Sequence, residues 1–214
     1  MKSHPVDLLG DPLPPQREAE LPPISDVGGL QYIPDFISQE THDQLLTEID
    51  RQPWLTELRR RVQHYGFRYD YKSRSVNYSM RIGELPEWAR AVGAALVEQR
   101  LFPAMPDQVI VNEYQPGQGI KDHIDCEPCF TDTVASLSLG SRCIMVFTEK
   151  ATKRVVPVLL EPRSLVVLTG PARYEWMHGI PPRKSDEVGR HSIKRARRVS
   201  LTFRQVIVQP ERDA

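Results

Sequence analysis

The sequence predicts an α+β fold in which helices come first and a jelly-roll-like body of antiparallel strands follows. Two observations indicate this: helical periodicity is confined to the first half of the chain, and short β-branched runs separated by Gly, Pro, Ser or Asp dominate from residue 107 onward. With 214 residues and 40% apolar side chains, the chain suits one domain with its own core. A wholly disordered chain is excluded, and no stretch approaches the roughly 18 to 20 apolar residues of a membrane span.

The first half is predicted to contain a short strand and two helices. The strand covers residues 29–34. Ser38 has the side chain of a helix N-cap, and the residues after it, 41–51, place apolar side chains at helical spacing. A second helix is predicted over residues 86–101, where apolar residues again recur on one face.

Seven short runs in the second half have the composition of strands. They are rich in β-branched residues and are separated by turn-forming residues, which is typical of a sandwich or barrel. The runs are 109–114, 134–139, 143–147, 155–160, 164–168, 173–177 and 198–208.

Composition divides the chain into a tail and one domain. Residues 1–27 are predicted to be an acidic, extended and disordered tail, because six of the 19 prolines fall within the first 23 residues. We expect the domain over residues 28–208 and a short C-terminal tail over 209–214. The start of the chain lacks signal-peptide character, and three cysteines favour a reducing compartment, so a cytoplasmic location is expected.

Charge is uneven along a chain whose net charge is zero. Residues 51–74 hold seven basic against two acidic side chains, a net of +5, and residues 183–198 hold the same numbers. These two segments are called the basic islands below. They predict a footprint for an anionic polymer, with two solvated faces as the alternative.

A histidine and an aspartate two residues apart, His123 and Asp125, are the first candidates for chemistry. On a strand they would point the same way, so that an imidazole and a carboxylate converge. A second, distant histidine would complete a set of two imidazoles and one carboxylate, which suits non-haem Fe(II). Among the six histidines we prefer His178, which ends an apolar run on a predicted strand. The alternative is a chance pairing, because His-x-Asp alone is common.

The last predicted strand carries two arginines on one face. Apolar and polar residues alternate from Arg198 to Arg204, which places both guanidinium groups opposite the core-facing side chains. Arginine binds carboxylates in bidentate fashion, so the pair could bracket a small dianion. Asn112 and Tyr114 share a face of another predicted strand and could add neutral hydrogen bonds. The alternative is an edge strand whose charges lie in water.

Together these elements resemble the AlkB family of Fe(II)- and 2-oxoglutarate-dependent dioxygenases. The family pattern is Asn-x-Tyr, His-x-Asp, a distal His and Arg-x5-Arg. The matching residues are Asn112, Tyr114, His123, Asp125, His178, Arg198 and Arg204. The resemblance covers about residues 28–208 and extends to residues 65–71, which are similar to the family's substrate lid. Within the family, the sequence resembles in particular the oxygenase domain that hydroxylates a modified wobble uridine in animal transfer RNA.

The resemblance implies a double-stranded β-helix (jelly-roll) core with N-terminal helices packed on it. It also implies Fe(II), 2-oxoglutarate and O2. The implied iron ligands are His123, Asp125 and His178. Arg198, Asn112 and Tyr114 would bind the distal carboxylate of 2-oxoglutarate. Arg204 would lie near the carboxylate that leaves as carbon dioxide.

The implied function is oxidative dealkylation of N-alkylated bases in DNA or RNA, as in nucleic-acid repair. The expected partner is single-stranded nucleic acid or a flipped base; no membrane partner is expected, and the protein is expected to be a monomer. Tyr69 would stack on an unpaired base, with packing on the core as the alternative. Glu127 would contact the base. Other possibilities are a tRNA nucleoside hydroxylase or protein oxygenase with the same chemistry, and a non-catalytic module that binds metal or a dicarboxylate.

Cys126 and Cys129 form a CxxC motif. Because Cys143 is the only other cysteine, a structural zinc site would lack ligands. We therefore expect free thiols close to the iron, with possible sensitivity to oxidation.

Overall fold

Two β-sheets and two twelve-residue helices form the body of the protein. The computed structural model describes Leu21 and residues 24–207. The helices are α1 (Gln39–Asp50), α2 (Glu87–Glu98) and the short α3 (Gly170–Tyr174). Two 3-10 turns cover Ile24–Asp26 and Tyr78–Met80. The strands are β1 (Leu30–Ile33), β2 (Arg61–Tyr65), β3 (Gln108–Tyr114), β4 (Ile120–His123), β5 (Val134–Gly140), β6 (Cys143–Glu149), β7 (Val155–Leu160), β8 (Leu165–Leu168), β9 (Trp176–Ile180), β10 (Ser185–Val188), β11 (His191–Lys194) and β12 (Arg198–Arg204).

The strands form a large sheet, a small sheet and a hairpin. The large sheet has the order β1-β8-β5-β12-β3-β2, the small sheet has the order β4-β9-β6-β7, and β10 pairs with β11 alone. All pairings between these strands are antiparallel. Neighbours in each sheet are mostly distant in sequence, which is the connectivity expected of a jelly roll.

Helix α1 begins where the sequence predicts it. The Ser38 hydroxyl accepts a hydrogen bond from the backbone N–H of Thr41 at 3.1 Å, so Ser38 is the predicted N-cap. Leu45 and Ile49 on its inner face are buried in the same core cluster as the apolar face of α2.

The two faces of the large sheet have different partners. On β12, Val199, Leu201 and Phe203 are fully buried in the cluster that contains the helices. The alternate residues on β12 point the other way and line a cavity. The large sheet therefore separates the helices on its outer face from the site on its inner face, and a second apolar cluster joins that inner face to the small sheet.

The predicted α+β jelly-roll fold with helices packed on it is confirmed, and the differences are local. The predicted strand over residues 173–177 is wrong in its first part, because Gly170–Tyr174 is helical and β9 begins only at Trp176. Pro171 lies at the start of this helix, where its fixed φ favours a helical turn. Strand β12 ends at Arg204, within the predicted 198–208 run.

Four strands lie outside both the predicted strand over residues 29–34 and the seven predicted strand runs. They are β2, β4, β10 and β11. The last three are short and mostly polar, with no alternating apolar face. Strands β2 and β4 gain their strand character from pairing with the distant strands β3 and β9, whereas β10 and β11 pair with each other as a hairpin.

The predicted tail covers residues that are mostly outside the described part, since residues 1–20, 22–23 and 208–214 are not described. The predicted end of the tail at residue 27 is wrong, because residues 24–27 belong to the folded domain. Ile24–Asp26 form a 3-10 turn, and Val27 is buried in the core cluster between the sheets because its apolar side chain packs there. In the described part, no helix has the length and hydrophobicity to span a membrane.

Candidate active site

The three predicted metal ligands lie together on the inner side of the small sheet. His123 ends β4 and pairs in register with His178 on β9, and their ring centroids are 4.5 Å apart. Asp125 lies two residues beyond the end of β4, so the expectation that one strand carries both residues is wrong for Asp125, which the following loop places. One potential ligand atom from each residue lies within 4.8 Å of the other two, and His178 Nε2 is 3.5 Å from Asp125 Oδ2. This grouping of two imidazoles and a carboxylate leaves several positions open on a bound metal.

The protonation of the site suits a cation. His123 Nδ1 donates to the carbonyl oxygen of Lys121 at 2.9 Å, which leaves Nε2 as the ligand atom. Burial, reinforced by the neighbouring His123, lowers the pKa of His178 to about 3, so this imidazole is neutral at pH 7. Burial would raise the pKa of Asp125, but the positive Arg204, followed by His178, holds that pKa well below its usual range.

Asp125 has one oxygen that is held and one that is not. Arg204 donates from Nε at 2.9 Å and from Nη2 at 2.6 Å, both to Oδ1. The other oxygen, Oδ2, is buried and has no hydrogen-bond partner among the described residues. A buried, ionised and unpaired oxygen is costly unless a cation binds it. The residues present therefore fit a divalent metal.

Arg198 presents unpaired donors to the same cavity. Its side chain is 2% exposed, and Nη2 donates to Ser138 Oγ at 2.9 Å. Its Nε and Nη1 groups are buried without partners among the described residues. A buried guanidinium with free donors fits a carboxylate, as the dianion hypothesis requires. The edge-strand alternative is wrong, because β12 lies between β3 and β5 in the large sheet.

The cavity encloses about 440 Å³, and both Asn112 and Tyr114 line it. The Arg198 guanidinium carbon lies 5.5 Å from the centre of the Tyr114 ring. Asn112 Oδ1 accepts a hydrogen bond from Arg60 Nε at 2.9 Å. No separate role was predicted for Arg60, although Arg60 belongs to the first basic island. Its contact with Asn112, 52 residues away in the chain, becomes visible only in the fold.

The chain is similar to known proteins in both sequence and fold. Residues 29–204 match the sequence model described as the 2OG-Fe(II) oxygenase superfamily. The chain belongs to this superfamily. It is therefore a dioxygenase that uses Fe(II), 2-oxoglutarate and O2, and its relatives include several AlkB homologues.

Three relatives and one solved structure illustrate the similarity. Protein L905 of Acanthamoeba polyphaga mimivirus is 34% identical over 85% of this chain and 87% of its own length. The Arabidopsis thaliana "Alkylated DNA repair protein ALKBH8 homolog" is 38% identical over 86% of this chain. The Xenopus tropicalis "tRNA (carboxymethyluridine(34)-5-O)-methyltransferase alkbh8" is 36% identical over 85% of it. The structure of OsALKBH1 has a TM-score of 0.62 and 19% identity, covering 83% of this chain and 96% of its own, and supports the fold.

This oxygenase does not span the full length of all its relatives. The chain covers 60% of the Arabidopsis protein and 32% of the Xenopus protein. Activities that belong to those whole proteins therefore enter below only as proposals.

Arg204 makes a contact that was not predicted from the sequence, because it binds the carboxylate of Asp125. Its two shortest hydrogen bonds go to the iron ligand candidate Asp125, and Nη1 donates to Gln108 Oε1 at 3.3 Å. It thus holds Oδ1 of Asp125 and leaves Oδ2, which lies 3.5 Å from His178 Nε2, without a hydrogen bond. Its predicted position near the leaving carboxylate of 2-oxoglutarate stays a prediction.

The two predicted substrate residues lie in different environments. Tyr69 is half-buried and lines the cavity; its ring centroid lies 5.1 Å from that of Tyr71 and 5.9 Å from that of Phe130. It therefore packs on neighbouring rings and also borders the cavity. Glu127 is exposed and does not line the cavity, because the turn after Asp125 directs it to solvent.

The basic islands reach the oxygenase site unequally. Arg60 and Arg74 from the first island line the cavity, together with Lys121. In the second island Arg198 lines it, but Arg195 forms an ion pair with Asp186 of the same island, and Arg197 pairs with Asp50 and Glu113 of the body. The first island therefore contributes two basic side chains to the cavity lining and the second only Arg198, because the fold uses Arg195 and Arg197 in ion pairs.

The prediction of free thiols at Cys126 and Cys129 is wrong. The two residues form a disulfide, with Cα atoms 5.2 Å apart in the turn that follows Asp125. This separation lies within the range that disulfides require, and the turn brings residues three apart to it. Cys143 is free and buried.

Proposed function

We propose that this dioxygenase removes alkyl groups from N-alkylated bases in single-stranded or flipped-out nucleic acid. The observation that carries the proposal is the character of the cavity mouth. The metal and carboxylate-binding groups share one cavity with two tyrosines and three basic side chains: Tyr69, Tyr71, Arg60, Arg74 and Lys121. Aromatic rings stack on bases, and cationic groups contact phosphates.

Each set of residues has a separate task in this proposal. When bound, Fe(II) with 2-oxoglutarate and O2 supplies the oxidation, and hydroxylation of the carbon on the base nitrogen leads to its loss as an aldehyde. His123, Asp125 and His178 would hold the metal, and Arg198 would orient the dicarboxylate. The flanking tyrosines would hold the extruded base, and the basic residues would hold the backbone beside it.

The test is mass spectrometry of single-stranded oligonucleotides that carry 1-methyladenine or 3-methylcytosine. Purified protein is incubated with Fe(II), 2-oxoglutarate and ascorbate, beside a His123→Ala control. We expect each methylated base to lose the mass of one CH2 group, with formaldehyde formed, in the wild type only. Methyl loss that persists in His123→Ala, or its absence while 2-oxoglutarate is consumed, would contradict dealkylation of these bases.

A second candidate is hydroxylation of a tRNA nucleoside. It is favoured by the 36% identity with the Xenopus protein, whose name refers to carboxymethyluridine 34 of tRNA. A gain of one oxygen atom in nucleosides from treated tRNA, with no loss from methylated oligonucleotides, would favour this candidate over dealkylation. The same assay with His123→Ala shows whether the product depends on the metal site.

A further inference from the structure

The main chain of the loop between β4 and β5, which carries Asp125, lies outside the ladders of both sheets. Strand β4 ends at His123, so Asp125 lies outside the hydrogen-bonded ladder that holds the two histidines. The turn after it has its own backbone bonds, in which Cys129 and Phe130 donate to the carbonyl of Cys126. An isolated bridge between Phe130 and Val206 joins its far end to the segment after β12. The position of Asp125 relative to His178 must therefore be set by other contacts.

Arg204 holds the carboxylate of Asp125, and Arg173 on α3 holds the main chain of the loop. The Arg173 side chain is 1% exposed, and its guanidinium group donates to the main chain of residues 125–131 at four places. The acceptors are the carbonyl oxygens of Asp125 (from Nη1, 3.0 Å), Cys126 (from Nη2, 3.4 Å), Phe130 (from Nη2, 3.2 Å) and Thr131 (from Nε, 3.3 Å). The planar fork of one arginine thus holds both ends of the loop.

Arg173 forms no contact ion pair with a carboxylate in the described part of the chain. Its other close contact is the Tyr174 ring, whose centre lies 4.9 Å from the guanidinium carbon. A buried cation of this kind is tolerated only because carbonyl oxygens accept hydrogen bonds from its N–H groups. Its hydrogen-bonding capacity is therefore committed to the loop that bears the metal ligand.

The position of Arg173 in the chain connects this loop to the second imidazole. Helix α3 ends at Tyr174, β9 begins at Trp176, and His178 follows five residues after Arg173. The Arg173 side chain thus connects the main chain of Asp125 to the segment that leads into β9 and His178. In this arrangement Asp125 Oδ2 lies 3.5 Å from His178 Nε2. We propose that Arg173 is a positioning residue that sets the spacing of these two metal ligands. The proposal rests on the metal site of the proposed function.

The test measures metal affinity without turnover. Mn(II) is titrated into metal-free wild type, Arg173→Lys and Arg173→Met, with Arg142→Met as the matched control. Arg142 is half-exposed and forms a surface ion pair with Glu161, away from the cavity lining. We expect Arg173→Met to weaken Mn(II) binding by about 10- to 100-fold, as is usual when the support of a metal ligand is lost. Arg173→Lys, which keeps the charge but loses the fork, should weaken it by about tenfold.

Thermal unfolding of the metal-free variants separates positioning from general stability. Titrations are run well below each melting temperature, on protein whose near-ultraviolet circular dichroism matches the wild type. If Arg173→Met does not fold, Arg173→Lys decides the outcome. Variants that are less stable yet bind Mn(II) as tightly as Arg142→Met would overturn the proposal. If the wild type itself binds no Mn(II), or His123→Ala binds it equally well, the metal site of the proposed function fails instead.

Discussion

Arg198 is the residue where the need for a ligand is most direct. Its guanidinium is buried on the central strand β12, one nitrogen is bound to Ser138, and two nitrogens have no partner among the described residues. A positive charge in this state is stabilised only when an anion arrives. The dicarboxylate 2-oxoglutarate brings such an anion to the cavity that Arg198 lines.

Replacing Arg198 should therefore weaken co-substrate binding selectively. In the presence of Mn(II), we expect the Kd for 2-oxoglutarate to rise by about 10- to 100-fold in Arg198→Ala, since hydrogen bonds to charged groups contribute about 1.5–3 kcal/mol. Arg198→Lys should show a smaller rise, because it keeps the charge without the bidentate fork. Isothermal titration calorimetry measures both constants.

The affinity of the same variants for Mn(II) alone should stay close to that of the wild type. Arg51→Ala is the matched control, because Arg51 lies exposed just after α1 and pairs with Glu48 at the surface. Equal 2-oxoglutarate affinities in Arg198→Ala and Arg51→Ala would show that the co-substrate carboxylate binds elsewhere.

At the scale of elements, the hairpin β10–β11 depends on one buried ion pair. Asp186 accepts from Arg195 Nε and Nη2, each at 2.6 Å, and also from the backbone N–H of Ile144 on β6 at 3.1 Å. Both side chains of the pair are almost fully buried. The hairpin pairs with neither sheet. The hydrogen bond from Ile144 to Asp186 and the bond from Arg195 to the Pro181 carbonyl therefore tie it to the body.

Breaking this pair should be costly. We expect Asp186→Asn to lower the free energy of unfolding by about 3–5 kcal/mol, because it leaves the Arg195 guanidinium buried without its counter-charge. Glu187→Gln is the control on the next residue of the same strand; it is exposed and should stay within about 0.5 kcal/mol of the wild type. Urea unfolding gives both values. A normal unfolding free energy in Asp186→Asn, with faster amide exchange confined to the hairpin, would mean that the pair stabilises the hairpin alone.

At the scale of the whole molecule, the active site lies between the two sheets. The small sheet and the loop after β4 supply the metal ligand candidates, whereas the large sheet supplies Arg198. A metal and a dicarboxylate bound together would therefore connect both sheets. Both ligands bind the folded state, so their binding should raise its stability.

This arrangement predicts a stepwise rise in melting temperature. With ligands at 100 times their Kd, each binding step should add about 2.7 kcal/mol, which corresponds to roughly 5–10 °C for a protein of this size. Mn(II) should give the first rise, 2-oxoglutarate the second, and EDTA should remove both. Differential scanning calorimetry measures the shifts.

The variant Arg198→Ala separates the two steps. It should keep the rise caused by Mn(II) and lose most of the rise caused by 2-oxoglutarate. An undiminished second rise in Arg198→Ala, or a first rise that survives EDTA, would contradict the division of ligand groups between the sheets.

The sequence determined the features that depend on local spacing. Alternation along residues 198–204 predicted which side chains of β12 face the core, and the His-x-Asp pair with a distal His predicted three residues that meet in space. The first prediction succeeds because the period of a strand is a property of the chain itself. Asp125, in contrast, lies beyond the end of β4 and reaches the site through the loop that follows this strand. The Ser38 cap and both longer helices follow from equally local rules.

Only the tertiary structure decided the features that depend on contacts between distant segments. The short polar strand β4 exists because the distant strand β9 completes its hydrogen bonds. The roles of Arg173 and Arg60 likewise depend on acceptors 42 to 52 residues away. A guanidinium group has the same chemistry in any sequence, so its burial and its partners, which the fold supplies, decide what it does.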